Sequence, residues 1–349
     1  MKNYIQIGKR KIGPGFPAYV IAEISANHGQ RFEKAVEIIK AAKAAGADAV
    51  KLQTYTPDTI TIDCDSKYFT IKGTIWKGKN LYKLYGEAYT PWEWQPKLKK
   101  IADKLKIDLF STPFDFTSVD FLEKMNVPAY KVASFELVDI PLIRKIARLG
   151  KPVIMSTGMA TLQEIREAVR AVKSEGNSQI ALLKCTSEYP ADPNDMNLRT
   201  IPDMRKRFGT VVGLSDHTLG IASSVAAVSL GACIIEKHLT LSRKEPGPDS
   251  SFSLEPQELG ELVKEIRTVE AALGKINYSF SAKEKATRVF RRSLFAVKDI
   301  KKDEFLTPEN IRSIRPGYGL APKYYDKVIG KTAKNDIKFG TPLSLPMIK

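Results

Sequence analysis

Apolar, β-rich runs alternate along this chain with amphipathic ones, and the alternation repeats eight times. The strand-like runs are AYVIAEI (18–24), AVKLQ (49–53), IDLFST (107–112), AYKVAS (129–134), PVIMST (152–157), IALLKC (180–185), VVGLSD (211–216) and CIIEKHL (233–239). Between them, FEKAVEIIKAAKAAG, PWEWQPKLKKIADKL and LQEIREAVRAVKSEG carry apolar residues at i, i+3 and i+4, the spacing of one helix face. Pro91 and Thr161 suit helix starts, and Gly46 and Gly176 suit helix ends. Strands that are apolar along their whole length are buried on both faces, as in a parallel sheet covered by helices. Eight such units within about 280 residues predict an α/β fold, a (β/α)8 TIM barrel.

Three segments stand outside the repeat. The opening YIQIGKRKIGPGFPAY reads as a small hairpin. Residues 55–90 form an insertion after the second strand, rich in Tyr, Trp and Lys. A long loop at that end of a barrel commonly belongs to a substrate site. After the helix ELVKEIRTVEAALG the pattern changes to short β-like runs with turn residues at KKDE and KFGTP. This predicts a barrel domain over 1–280, a linker over 281–289 and a small, mostly β module over 290–349.

In a parallel barrel the strand ends face one cavity, so their residues are read together. They carry Glu23, Lys51 with Gln53, Ser111 and Thr112, Lys131 with Ser134, Ser156 and Thr157, and Lys184 with Thr186 and Ser187. Ser215 to His217 and Glu236 to His238 complete the ring. Three lysines and at least five hydroxyls make an anion site, with point charges from lysine and directed bonds from Ser and Thr. His217 and His238, two of only three histidines, end consecutive strands with Asp216 and Glu236 beside them in sequence. Each is either a satisfied polar residue at a strand end or, as a pair, a divalent-metal or catalytic site. The third, His28, follows the first strand and its Glu23.

Composition narrows the function. The net charge is +16 at pH 7, and the C-terminal module is itself basic. Its lysines are scattered through apolar runs with no basic block, so the charge reads as a solvated surface drawing small anions, and no nucleic-acid partner is expected. No run approaches the 18 or so apolar residues that span a membrane, and MKNYIQIGKRKIG has no signal-peptide core. Cys64, Cys185 and Cys233 are odd in number and unclustered, which fits a reducing cytoplasm.

AEISANHG, KLQTYTPD, STPF, YKVASFE, STGMAT, KCTSEYP, GLSDH and EKHLTL occur in the order and spacing of the sialic acid synthase family, and the chain resembles that family over nearly its whole length. SIRPGYGL resembles its antifreeze-like (SAF) domain. Within the family, IKGTIWKGKNLYKLYGEAYTPWEW is most similar to the pseudaminic acid synthase branch. The resemblance implies a cytoplasmic enzyme that condenses phosphoenolpyruvate with 2,4-diacetamido-2,4,6-trideoxy-L-altrose and water, giving pseudaminic acid and phosphate. The alternative within the family is an N-acetylneuraminate or legionaminic acid synthase acting on an N-acetylated mannose-type sugar.

The same resemblance assigns residues. Phosphoenolpyruvate falls to Thr112, Lys131, Ser134, Ser156 and Ser215, with Lys51 near its carboxylate. A divalent cation (Mn2+, Mg2+ or Co2+) falls to His217 and His238, faced by Glu23 as the proton acceptor for water. Glu136, Asp249, Tyr189 and Gln53 fall to the sugar. Arg315 matches an arginine that reaches the sugar in the neighbouring subunit, implying a homodimer in which each SAF domain caps its partner's barrel. Ser187 departs from the family, which tends to carry Asn there. Two readings lie outside it: a barrel making an aldulosonic acid phosphate, which would need a second phosphate site, and a non-enzymatic scaffold with a basic tail.

Overall fold

The computed structural model describes residues 4–72, 76–245 and 247–349. The chain forms two compact units, 1–274 and 275–349. In the first, the short strands β1 (Ile5–Ile7) and β2 (Arg10–Ile12) pair antiparallel. The barrel strands follow as β3 (Tyr19–Glu23), β4 (Ala49–Thr54), β5 (Asp108–Pro113), β6 (Tyr130–Val132), β7 (Val153–Ser156), β8 (Ile180–Cys185), β9 (Val211–Asp216) and β10 (Ile234–His238). They close in the order β10-β3-β4-β5-β6-β7-β8-β9, parallel throughout. All eight expected strands are present.

The barrel closes because its strands are apolar on both faces. Val20, Ile21, Leu52, Leu109, Ile154, Leu182, Leu183 and Ile235 are fully buried. Each such side chain contributes about 1.5–3 kcal/mol of burial. The covering helices include α1 (Phe32–Ala44), then α2 (Pro57–Ile60) and α3 (Leu81–Ala88) in the insertion, and α4 (Gln95–Leu105). Next come α5 (Phe116–Lys124), α6 (Ile140–Arg148), α7 (Leu162–Ser174), α8 (Thr200–Phe208), α9 (Ala222–Ser229) and α10 (Pro256–Leu273). Thr161 caps α7 as expected, its hydroxyl accepting from Glu164 N at 3.2 Å. At Pro91 a 3-10 turn, Trp92–Trp94, precedes α4, so the regular helix starts later than the proline suggests.

The opening hairpin buries Ile5, Ile7 and Ile12 in the barrel's core. Arg10 pairs with Asp48, and Gln6 N donates to the Gln179 side chain at 3.2 Å. Both partners lie at strand beginnings, so the hairpin covers the end opposite the cavity. Among the described residues no helix is long and apolar enough to cross a membrane.

The second unit has a two-stranded antiparallel sheet, β11 (Ser293–Ala296) with β12 (Ile311–Ile314). Its own small core includes Leu294, Ile300, Leu306, Ile311, Ala333 and Leu343. The segment expected as a linker, 281–289, carries a helical turn, α11 (Ala282–Thr287). Ser281 caps it, accepting from Glu284 N at 3.1 Å. A further short helix, α12 (Tyr325–Val328), lies in this unit.

Candidate active site

Register decides which strand-end residues meet. Side chains alternate between faces along a strand, and residues aligned on neighbouring strands share a face. His238 aligns with Glu23 and Glu23 with Lys51; Gln53 aligns with Thr112, and Ser215 with both Glu236 and Cys185. Lys131 aligns with Ile154, two residues before Ser156. All of these point into the barrel.

The opposite parity removes several residues from the expected ring. Asp216 faces outward, taking Lys237 Nζ at 2.9 Å, Ser224 Oγ at 2.6 Å and Thr218 N at 2.9 Å. It fastens the barrel to α9 and is no neighbour of a metal. Lys184 aligns with Leu214 on the outer face and donates to the Cys185 carbonyl at 2.9 Å. Ser111 also turns outward, 2.6 Å from Thr54 Oγ1. The cavity therefore holds two of the three lysines.

Those two are fully buried and compensated. Lys51 pairs with Glu23, lies 3.7 Å from Glu236 and donates to Thr112 Oγ1 at 3.3 Å. Lys131 donates to Ser156 Oγ at 2.6 Å and lies 3.7 Å from the same Glu236, which also accepts from Ser215 Oγ at 3.1 Å. The two carboxyls are pushed apart. Burial raises Glu23 against the pull of Lys51. Burial works the same way on Glu236, but Lys131 and Lys51 outweigh it and hold that carboxyl below the usual range. Such a split separates a stable anion from a proton carrier.

Ser134 sits beside this cluster and accepts from Gly158 N at 3.1 Å. A Cβ on Gly158 would lie 2.8 Å from Ser134 Oγ and 2.2 Å from Ser187 Oγ. The loops after β6, β7 and β8 converge there, and only glycine fits.

The histidine end is aromatic. The rings of His217 and His238 lie 5.4 Å apart, with Tyr189 4.4 Å from His217 and Phe252 5.0 Å from His238. His217 Nδ1 is 2.9 Å from the Thr186 carbonyl. A carbonyl can only accept, so Nδ1 carries a proton; burial lowers the ring's proton affinity, but Cys185 and the Thr186 carbonyl outweigh it and raise it. His238 Nδ1 is buried with no hydrogen-bond partner among the described residues. Burial, then the neighbouring His217 and lysines, hold His238 well below its ordinary value and hence neutral. Two facing imidazoles, one with an orphaned nitrogen, fit a divalent ion. Among the described residues no group of three His, Cys, Asp or Glu could hold one. A bound ion would therefore keep open positions for water or substrate.

Gln53, Asp249 and Glu136 complete the expected residues of the first unit. Gln53 Nε2 donates to Ser25 Oγ at 2.9 Å and Glu23 Oε1 at 3.3 Å. Asp249 accepts from Ala26 N at 3.3 Å, and burial raises its carboxyl. Glu136 has a buried oxygen with no partner among the described residues, and burial pushes it up to about 7. Arg315 is exposed in the second unit. His28 is not part of the cavity: its Nε2 lies 3.2 Å from Thr90 Oγ1, Nδ1 accepts from Gln30 N at 3.1 Å, and burial lowers it to about 4. It latches the first strand's loop to the end of the insertion.

The NeuB family profile matches residues 38–278. The chain belongs to the NeuB family. The SAF domain profile matches residues 291–349. A pseudaminic acid synthase of Campylobacter jejuni is 46% identical over 93% of this chain and 95% of its own length. An N,N'-diacetyllegionaminic acid synthase of the same species is 38% identical over 91% of this chain and 96% of its own. The crystal structure of an N-acetylneuraminic acid synthetase from Leptospira borgpetersenii superposes with a TM-score of 0.72 at 33% identity, covering 81% of this chain and 94% of that one.

Within this NeuB-family barrel, sequence reasoning under-assigned two inward residues. Glu236 stands in the strand-end ring without a role of its own, yet it is the carboxylate shared by both lysines; its parity with His238 on β10 was the available signal. Cys185 lies 3.9 Å from His217 Nδ1 and 3.7 Å from Ser187 Oγ. Burial would raise its thiol, but His217 and nearby hydroxyls outweigh that and bring it to about 6. Its alignment with Ser215 placed it inward, but an apolar-looking cysteine gave no chemical cue.

Proposed function

We propose that this chain condenses phosphoenolpyruvate with 2,4-diacetamido-2,4,6-trideoxy-L-altrose and water, giving pseudaminic acid and phosphate. One observation carries the reading: a lysine–hydroxyl cluster suited to a phosphorylated acid adjoins a close pair of histidines inside one barrel, in a chain 46% identical to a pseudaminic acid synthase.

Lys131, Thr112, Ser134, Ser156 and Ser215 bind the phosphate, and Lys51 the carboxylate. C3 of phosphoenolpyruvate attacks the aldehyde carbon of the open-chain sugar, and the carbonyl pair moves to its oxygen, which is protonated. Positive charge develops at C2, where Glu236, held ionised, is suited to offset it. Water adds to C2 and gives a proton to Glu23, whose raised proton affinity suits a base. The C2–O bond then breaks and phosphate leaves on Lys131 and its hydroxyls. His217 and His238 would hold a divalent cation (Mn2+, Mg2+ or Co2+), which supplies Lewis acidity to the aldehyde oxygen. Gln53, Glu136, Tyr189 and Asp249 bind the sugar.

The reaction is assigned to the cytoplasm, in keeping with three free cysteines. The working unit is a homodimer in which Arg315 of each SAF domain reaches the partner's barrel. Phosphate release measured against a panel of sugars tests the assignment. The diacetamido sugar should give the highest kcat/KM; a preference for N-acetylmannosamine or the legionaminic acid precursor would reassign the product.

A further inference from the structure

The insertion brings two aromatic rings to the cavity that the chemistry above does not use. Trp76 lies 5.6 Å from the ring of Tyr189, which in turn covers His217 at 4.4 Å. Its Nε1–H donates to the Pro248 carbonyl at 3.1 Å, tying the insertion to the segment that carries Asp249. Tyr85, on α3, meets Tyr55 edge-on at 5.5 Å. Burial and then the charge of Glu136 raise the Tyr85 phenol, and burial and then the charge of Asp249 raise that of Tyr55. Of the other insertion aromatics, Tyr68 is 79% exposed, and the Tyr82 hydroxyl is bound to Asp58 at 2.9 Å.

A sugar whose aldehyde carbon meets phosphoenolpyruvate beside the histidines must extend outward, so its C4 to C6 end arrives at the insertion. We propose that Trp76 and Tyr85 form the wall receiving the C4 acetamido and C6 methyl groups, and so select the sugar; this rests on the reading above. The indole N–H is engaged by Pro248, and the half-buried ring presents apolar carbon beside Tyr189. A methyl group and an acetamido methyl fit such a face. N-acetylmannosamine sets hydroxyls at both places, and these would lose water without gaining partners.

The test compares full-length wild type, Trp76→Ala, Trp76→Phe and Tyr85→Ala by steady-state kinetics with both sugars, alongside the Kd for phosphoenolpyruvate. Trp76→Ala and Tyr85→Ala should each lower kcat/KM for the diacetamido sugar roughly 10- to 100-fold, mainly through KM. The value for N-acetylmannosamine should be unchanged or higher, so the preference collapses. Trp76→Phe, which keeps a ring, should retain most of the preference. A phosphoenolpyruvate Kd within about twofold of wild type shows that the barrel is intact. Equal losses with both sugars, or a preference that survives both alanine variants, would overturn the wall while leaving the proposed reaction standing. A wild type that works on N-acetylmannosamine and not on the diacetamido sugar would overturn both.

Discussion

His217 and His238 end adjacent barrel strands with their rings 5.4 Å apart, and only the first has its Nδ1 bound to a backbone carbonyl. The orphaned Nδ1 of His238 is therefore the nitrogen with no partner among the described residues, and both rings sit against Tyr189 or Phe252. If these two histidines hold the proposed cation, with little redundancy, His217→Ala or His238→Ala should leave a folded barrel that has lost bound metal. Activity should fall more than roughly 100-fold, exceeding what loss of an outer partner causes at such sites. Elemental analysis and rates after chelation check this. Full activity in either variant without added divalent ion would remove the metal from the account.

The two faces of the barrel strands give a paired test. Lys131 faces Ser156 and Glu236, whereas Lys184 faces outward. Lys131→Ala should raise the Kd for phosphoenolpyruvate roughly 10- to 150-fold, the loss of about 1.5–3 kcal/mol for a charged hydrogen bond. Lys184→Ala should change it by less than about threefold. Titration calorimetry with both variants measures the difference.

Strand parity also marks where the sequence stopped being legible. The eight apolar runs were sufficient for the barrel, because a strand buried on both faces needs no alternation to be recognised. That same lack of alternation hid which residue of each strand end points inward. Lys131 and Lys184 look equivalent as strand-end lysines, and so do Asp216 and Glu236; register alone separates them. The path of the insertion was illegible for another reason. Trp76 reaches Tyr189 and Pro248 across 113 and 172 positions of chain, and no local pattern encodes such contacts.

Glu136 gives the pH dependence. Burial moves its carboxyl from an ordinary value of 4.5 to about 7. Between those values the folded chain keeps a proton that the unfolded chain has lost, so the contribution is full below 4.5 and lost as pH rises through 7. Glu136→Gln removes this dependence. Its stability relative to wild type should be near zero at pH 4 and rise to about 3 kcal/mol in the variant's favour by pH 8. Urea unfolding across that range measures it, with a cost in kcat/KM for the sugar. A difference independent of pH would contradict the assignment.

Arg315 tests the assembly. If it serves the partner's barrel, Arg315→Ala and Glu23→Ala chains, each nearly inactive, complement when refolded together. Half of the random dimers are mixed and each has one intact site of two, so activity should recover to about a quarter of wild type. A mixture no more active than its parents would mean that each chain caps itself.

The central claim is condensation with cleavage of the C2–O bond of phosphoenolpyruvate, and mass spectrometry of both products tests it most directly. Phosphoenolpyruvate carrying 18O in its bridging position is supplied with 2,4-diacetamido-2,4,6-trideoxy-L-altrose. Water attacking C2 and phosphate leaving from it should give pseudaminic acid without the label and phosphate that retains it. Label in the nine-carbon acid, or no such acid from this sugar, would contradict the account.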